Sequence, residues 1–184
     1  MSSSITLDLL VDSSDTAGAK VVNFSPPLAR EEIWQAWFEH WLDYLTPTAS
    51  PIDSYEISLI LTVDDVIQEL NHTYRHQNRP TDVLAFAAQE LSLPGSELVY
   101  SSAPLPLGDI IISVETAERQ RHQSANSLRQ ELAWLAAHGL LHLLGWDHPD
   151  EDSLRRMLEQ QRLLLKTIGY SLQNGESDAA PATL

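Results

Sequence analysis

Alternating and continuous apolar segments divide the chain into strands and helices. Short segments that alternate or are rich in β-branched residues predict strands at Ile5–Val11, Tyr55–Val63, Val83–Phe86 and Gly108–Ser113. Apolar residues at helical spacing, acidic first turns and terminal glycines predict helices at Glu31–Leu45, Asp64–Tyr74 and Glu115–His122, from Ser127 to about Leu144, and from Asp150 to Gly169. This mixture of elements predicts an α+β fold.

The segments between these elements predict loops and one disordered end. Residues 12–29 and 87–105 combine prolines with low periodicity and are predicted loops. Residues 173–184 are small and polar and predict a disordered tail. We therefore expect a single domain over residues 1–172.

Trp34, Trp37 and Trp41 share one face of the first predicted helix. Such a row could form a platform on which nucleic-acid bases stack. Apolar residues at helical spacing more often belong to the core, and this interpretation is favoured here.

The composition fits a globular protein and excludes several classes of function. The chain has 184 residues, of which 43% are hydrophobic, enough for one domain with a core. It has no cysteine, so disulfides, cysteine zinc ligands and thiol nucleophiles are excluded. No apolar segment approaches the length of a membrane span, and the N-terminus lacks the basic residues of a signal peptide. A cytosolic setting fits these features, and we expect no membrane partner.

The segment HGLLHLLGWDH places three histidines in an apolar environment. His138 and His142 are four residues apart and therefore lie on one face of a helix. Gly145 suits the left-handed turn at which the chain leaves the helix, so that His148 can approach the other two. Three imidazoles with one open position are typical of catalytic Zn²⁺, although other transition metals also accept imidazole. The alternative, three core or surface histidines, does not explain this spacing.

The same spacing, H-x-x-x-H-x-x-G-x-x-H, occurs in the metzincin metalloproteases. Those enzymes carry a glutamate after the first histidine as general base. Here that position is Gly139, which cannot accept a proton. A metallopeptidase-like hydrolase is therefore the less favoured alternative.

A second group of polar residues follows the helix predicted at Asp64–Tyr74. Arg75 and Arg79 are suited to binding a phosphate or a developing oxyanion. Cations are also favoured at any helix C-terminus, so this segment alone leaves both interpretations open.

Four motifs in order, L-N-x-x-Y-R, P-T-D-V-L-x-F, L-G-D-I-I-I-S and H-G-L-L-H-L-L-G-W-D-H, resemble the YbeY family of bacterial endoribonucleases. The resemblance covers about Tyr55 to Gly169 and departs from the family after Phe86, where members usually continue with proline. It implies a zinc-dependent, single-strand-specific endoribonuclease that matures the 3′ end of 16S rRNA and takes part in ribosome quality control, with rRNA and the ribosomal subunit or its proteins as partners.

The resemblance also implies the site. His138, His142 and His148 would be the zinc ligands and Arg75 the functional arginine. Together with the periodicity, it predicts a small mixed sheet of about four strands, with the metal site on a central buried helix. A ribosome-assembly factor with a merely structural metal is the non-enzymatic alternative.

Two roles are left open by the residues. Asp147 could serve as the general base, although a role in orienting a ligand histidine is favoured. Another acid or the substrate phosphate could replace it as the base, and RNA could also be cut through its own 2′-OH, which would need only the metal and an arginine. The net charge of -15 disfavours general nucleic-acid binding, so RNA requires a local basic patch. The residues that could form this patch, or that could equally be solvated surface charges, are His76, Arg79, Arg119, Arg121 and Arg129.

Overall fold

The computed structural model describes residues 3–11, 30–88, 102–124 and 126–171. Within these ranges the strands are β1 (Ser4–Val11), β2 (Ser54–Thr62), β3 (Val83–Ala87) and β4 (Leu105–Ser113). The helices are α1 (Glu31–Leu45), α2 (Asp64–Arg75), α3 (Val114–Ser124), α4 (Leu128–Leu143) and α5 (Glu151–Thr167). Each predicted element is present, with ends that move by a few residues. The predicted loop at 12–29, most of that at 87–105 and the predicted tail at 173–184 lie outside the described residues.

The four strands form one mixed sheet in the order β1-β2-β4-β3. β1, β2 and β4 run parallel, whereas β3 pairs with β4 in the antiparallel direction. The predictions of an α+β fold and of a small mixed sheet are therefore confirmed. The sheet places the ends of β2 and β4 next to the starts of α2 and α3, which follow them directly.

The largest difference between a predicted and an observed boundary is at the start of β4. β4 begins at Leu105, whereas its apolar pattern was recognised only from Gly108. The pairing of β2 with β4 is irregular here: Glu56 pairs with Pro106 and Ile57 with Gly108, so Leu107 is bulged out. Proline and glycine interrupt a strand pattern in the sequence, but both are tolerated at a bulge.

The two faces of the sheet are covered unequally. The main core lies on the face covered by α1, α4 and α5 and contains Trp34, Trp37 and Trp41, each at most 7% exposed. The prediction that these tryptophans belong to the core is thus confirmed. A second, smaller cluster joins Ile67 of α2 to Leu84 of β3 and Ile111 of β4.

The central helix α4 carries the first two histidines of the motif. It begins at the predicted capping box, in which Ser127 accepts a bond from the backbone N–H of Gln130 and the Gln130 side chain binds the backbone of Ser127. Most of its residues are buried on all sides. None of the helices in the described ranges has the length and apolar character that crossing a membrane requires.

Candidate metal centre

The end of α4 turns the chain so that three histidines converge. Gly145 adopts a φ of 85°, and its N–H donates to the carbonyl of His142 while the N–H of Trp146 donates to that of Leu141. These two bonds define a Schellman motif, which requires a left-handed residue at the glycine. The turn expected at Gly145 is therefore present, and it brings His148 back toward α4.

The three imidazoles each direct one nitrogen into a common space. Their candidate ligand atoms all lie within 4.8 Å of one another. His138 is fully buried, whereas His142 and His148 are half-buried. The ring centroids are 4.6 Å apart for His138 and His142 and 5.3 Å apart for His142 and His148. This group could hold a metal ion.

The donor atoms themselves fit a cation. The Nε2 atoms of His138 and His142 are 3.1 Å apart, and the buried Nε2 of His148 has no hydrogen-bond partner in the described part of the chain. Burial is the main cause that lowers the pKa of His142 to about 3, and the charges of His138 and His148 lower it further. A hydrogen bond with the backbone of Trp146 acts in the opposite direction but does not outweigh these causes. A neutral imidazole has a lone pair to donate, and imidazole is a preferred ligand of zinc.

Gln161 of α5 contacts the buried histidine and was not singled out in the sequence. Its Oε1 lies 3.1 Å from Nδ1 of His138, and its Nε2 donates to the carbonyl of Trp134 at 3.2 Å. Gln161 is fully buried among the apolar residues of α5. A glutamine on the buried face of an amphipathic helix is the signal that could have drawn attention to it.

Gly139 packs against the sheet. A Cβ placed at this position would lie 2.7 Å from Cγ2 of Ile110, a buried residue of β4. The position at which metzincins carry their general base is therefore closed by packing against β4. The chain must take any base from elsewhere.

Arg75 is the last residue of α2 and is half-buried. Its positive charge contributes to the lowered pKa of His142, so Arg75 lies within electrostatic reach of the metal centre. His76 and Arg79 follow it and are exposed, and Arg79 donates to the side chain of Gln77. The left-handed His76 (φ 59°) ends the helix.

The remaining basic residues, Arg119, Arg121 and Arg129, each contact another side chain of the protein. Arg119 binds Asp64, at the opposite end of α2 from Arg75, and Arg121 binds Glu118. The Arg129 guanidinium lies 5.0 Å from the centre of the Trp37 ring. Because α2 has 12 residues, its two ends are separated by about 16 Å. The guanidinium of Arg119 therefore binds at the N-terminal end of α2, whereas Arg75 is at its C-terminal end.

Asp147 is exposed, and its Oδ1 accepts a hydrogen bond from the backbone N–H of His148 at 2.7 Å. The carboxylate thus binds the backbone of a metal-ligand candidate. Its role as general base stays a prediction.

These features define an α+β protein with a three-histidine site suited to a metal ion. Residues 25–169 match the family model described as endoribonuclease YbeY. A protein named endoribonuclease YbeY from Acaryochloris marina is 57% identical over 138 residues, which cover 75% of this chain and 78% of that protein. A protein from Trichormus variabilis, also named endoribonuclease YbeY, is 51% identical over 165 residues, which cover 90% of this chain and 93% of that protein.

The chain therefore belongs to the endoribonuclease YbeY family, and the resemblance inferred from the motifs is confirmed. The solution structure of a Thermotoga maritima protein covers 89% of both chains with a TM-score of 0.51. At 24% sequence identity, this likeness supports the fold alone.

Proposed function

We propose that this chain is a zinc-dependent endoribonuclease that cuts single-stranded RNA in the cytoplasm. We further propose that its target is the 3′ end of 16S rRNA and that ribosomal subunits or ribosome-associated proteins are its partners in rRNA maturation and ribosome quality control. By family membership the chain is an endoribonuclease, and RNA is accordingly its partner. The observation that carries the metal-dependent part is the convergence of three histidine nitrogens, one of them buried without a hydrogen-bond partner.

Zinc is the ion that this donor set supports best. Three imidazoles and no cysteine match catalytic zinc sites, which leave one position open to water or substrate. His138, His142 and His148 would hold the ion. A bound Zn²⁺ would polarise a phosphoryl oxygen of the RNA and lower the pKa of water beside it.

Arg75 is the proposed catalytic arginine. Its guanidinium lies close enough to the metal centre for its charge to act on His142. A guanidinium binds phosphate oxygens in pairs and neutralises the charge that builds up as phosphorus becomes five-coordinate. The exposed His76 and Arg79 would contact neighbouring phosphates, whereas Arg119 and Arg121 would first have to release their own carboxylates.

The proton acceptor defines two routes with different products. If Asp147 or another acid activates water, the products carry ordinary phosphate and hydroxyl ends. If the RNA 2′-OH attacks, one product carries a 2′,3′-cyclic phosphate. Mass spectrometry of the cleaved RNA ends therefore distinguishes the two routes. Asp147→Asn should slow cleavage only if the reaction follows the water route.

A cleavage assay on single-stranded RNA containing the 16S 3′ end tests the proposal. Wild type should cut in the presence of Zn²⁺ and stop when a chelator is added. Arg75→Ala should lose roughly 10²–10³-fold in kcat while keeping its zinc, because it removes one charge-stabilising donor. His142→Ala should lose both zinc and cleavage.

Matched variants control for the loss of any arginine or histidine. Arg155 pairs with Asp152 on the exposed face of α5, and His40 is an exposed residue of α1. Arg155→Ala and His40→Ala should both cut RNA as wild type does. Failure of zinc-loaded wild type to cut, even with ribosomal subunits added, would refute the nuclease and favour an assembly factor with a structural metal. Cleavage of peptides in place of RNA would favour the metallopeptidase.

A further inference from the structure

Gln161 places a polar amide on the buried face of α5, between the apolar residues Leu158 and Leu164. The residue is fully buried, and a buried amide is destabilising unless its polar atoms are hydrogen-bonded. Both ends of the amide have partners on α4: the carbonyl of Trp134 and, one helical turn later, Nδ1 of His138. Gln161 therefore connects the last helix to the first metal-ligand candidate.

The two contacts leave only one chemically sensible arrangement of the amide and the ring. A carbonyl oxygen only accepts, so the NH₂ group of Gln161 must face Trp134 and its Oε1 must face His138. Because Oε1 also only accepts, Nδ1 of His138 must carry the hydrogen. In the neutral ring Nε2 then carries the lone pair, and this is the atom directed toward Nε2 of His142.

We infer that Gln161 is a positioning residue that holds His138 in its Nδ1–H tautomer and thereby keeps Nε2 available for the metal. Without this bond the His138 ring would be free to carry its hydrogen on Nε2. That hydrogen would point at the Nε2 of His142, 3.1 Å away, and form a bond between the two rings. This one hydrogen would then be covalently bound to Nε2 of His138 and hydrogen-bonded to Nε2 of His142, so neither lone pair could bind the metal. By keeping the hydrogen of His138 on Nδ1, the amide of Gln161 excludes the form in which His138 is the donor of this bond.

The tautomer of His138 is the direct test, and it needs no metal. Two-bond ¹H–¹⁵N correlation spectra of the metal-free wild type should show His138 protonated at Nδ1 and not at Nε2. Gln161→Met, which keeps the side-chain length and removes both hydrogen bonds, should shift His138 toward the Nε2–H form. A wild-type His138 protonated at Nε2 would overturn the inference even if no variant folds.

Metal affinity provides the second readout. Outer hydrogen-bond partners of ligand histidines typically contribute 10–100-fold to affinity, so Gln161→Met should weaken Zn²⁺ binding by about that factor in competition with a chromophoric chelator. Gln161→Glu restores an acceptor toward Nδ1 and should recover most of the affinity, although it loses the donor to Trp134. The visible spectrum of the Co²⁺-loaded protein should change with Gln161→Met and return toward wild type with Gln161→Glu.

The neighbouring glutamine is a matched control. Gln160 lies one residue away on α5 and is half-buried, whereas Gln161 is fully buried. Gln160→Met should leave the Zn²⁺ affinity and the Co²⁺ spectrum unchanged. If Gln161→Met lowers thermal stability but binds Zn²⁺ as tightly as Gln160→Met, Gln161 has only a packing role and the inference fails. RNA cleavage is not part of this test, so its outcome is separate from that of the proposed nuclease.

Discussion

Gly139 follows the first metal-ligand candidate and packs directly on Ile110 of β4. Alanine is the better helix former by about 1 kcal/mol, but a methyl group forced into a packed core costs about 1–3 kcal/mol. At 2.7 Å from Cγ2 of Ile110, the added Cβ makes the steric cost the larger of the two. Gly139→Ala should therefore lower the free energy of unfolding by up to about 2 kcal/mol in urea titrations.

A second substitution separates this clash from other effects. In the Ile110→Ala background the atoms nearest the new methyl are gone, so Gly139→Ala should be neutral or stabilising there. Stabilisation of the wild-type protein by Gly139→Ala would show that α4 and β4 have room between them. It would also reopen position 139 to larger side chains.

The three histidines could be predicted from the sequence because helical spacing and one glycine place them. Gln161 could not, because its contact with His138 joins residues 23 positions apart on two different helices. The partner of Arg119 was also missed, since Asp64 precedes it by 55 residues. Local spacing predicts which side chains share a helix face, whereas contacts between helices depend on how the elements pack.

The junction of α2 and α3 rests on Asp64. Its carboxylate accepts hydrogen bonds from Ser113, Thr116 and Arg119, while Glu115 accepts one from the backbone N–H of Asp64. Burial raises the pKa of Asp64, but the bonds from these three side chains outweigh burial and hold it below its usual value of 3.8. The carboxylate is therefore more stable ionised in the folded chain than in the unfolded one.

A depressed pKa fixes the direction of the pH dependence. The stabilisation is fully present above the unfolded pKa, near 3.8, and is lost as the pH falls through the lower folded value. Asp64→Asn should be less stable than wild type at pH 7, by about 1–3 kcal/mol, because it weakens a charged hydrogen-bond network. The difference should shrink as the pH is lowered below about 4. Denaturant titrations between pH 2.5 and pH 7 measure it.

Asp65 is the matched residue for this experiment, since it is an exposed acid in the same first turn of α2. Asp65→Asn should keep the wild-type pH profile. A profile for Asp64→Asn that runs parallel to wild type down to pH 2.5 would contradict the assigned cause, because the protonation of Asp64 would then make no contribution.

Element boundaries were predictable where a residue marks them chemically. The capping box at Ser127 and the left-handed Gly145 define the ends of α4 as the sequence suggests. β4 was less regular: Gly108 has a φ of 130°, and a Cβ there would lie 2.0 Å from the carbonyl oxygen of Phe86. In the sequence, this glycine is indistinguishable from one that ends a loop.

The order of strands is a property of the whole molecule that the pattern of residues does not contain. β2 lies beside β4 although α2 and β3 separate them along the chain, and β3 turns back to pair with β4. The class of fold follows from the types of elements, but the pairing depends on contacts far apart in sequence. The net charge of -15 is likewise a sum over the chain, and it does not show that the positive charge of Arg75 acts on His142.

Metal binding should also affect the stability of the whole chain if the proposed zinc site is correct. The three ligands converge only after α4 has formed and its end has turned at Gly145, so the folded state binds Zn²⁺ in preference to the unfolded one. At a free concentration 100 times the Kd, such binding adds about 2.7 kcal/mol of stability. For a chain of this size that corresponds to a rise in Tm of roughly 5–10 °C. Thermal unfolding with buffered Zn²⁺ or a chelator measures the shift.

Two histidine variants test where the stabilising ion binds. His40→Ala should retain the shift in Tm and His142→Ala should lose it. Equal shifts in both variants would place the stabilising ion elsewhere on the protein.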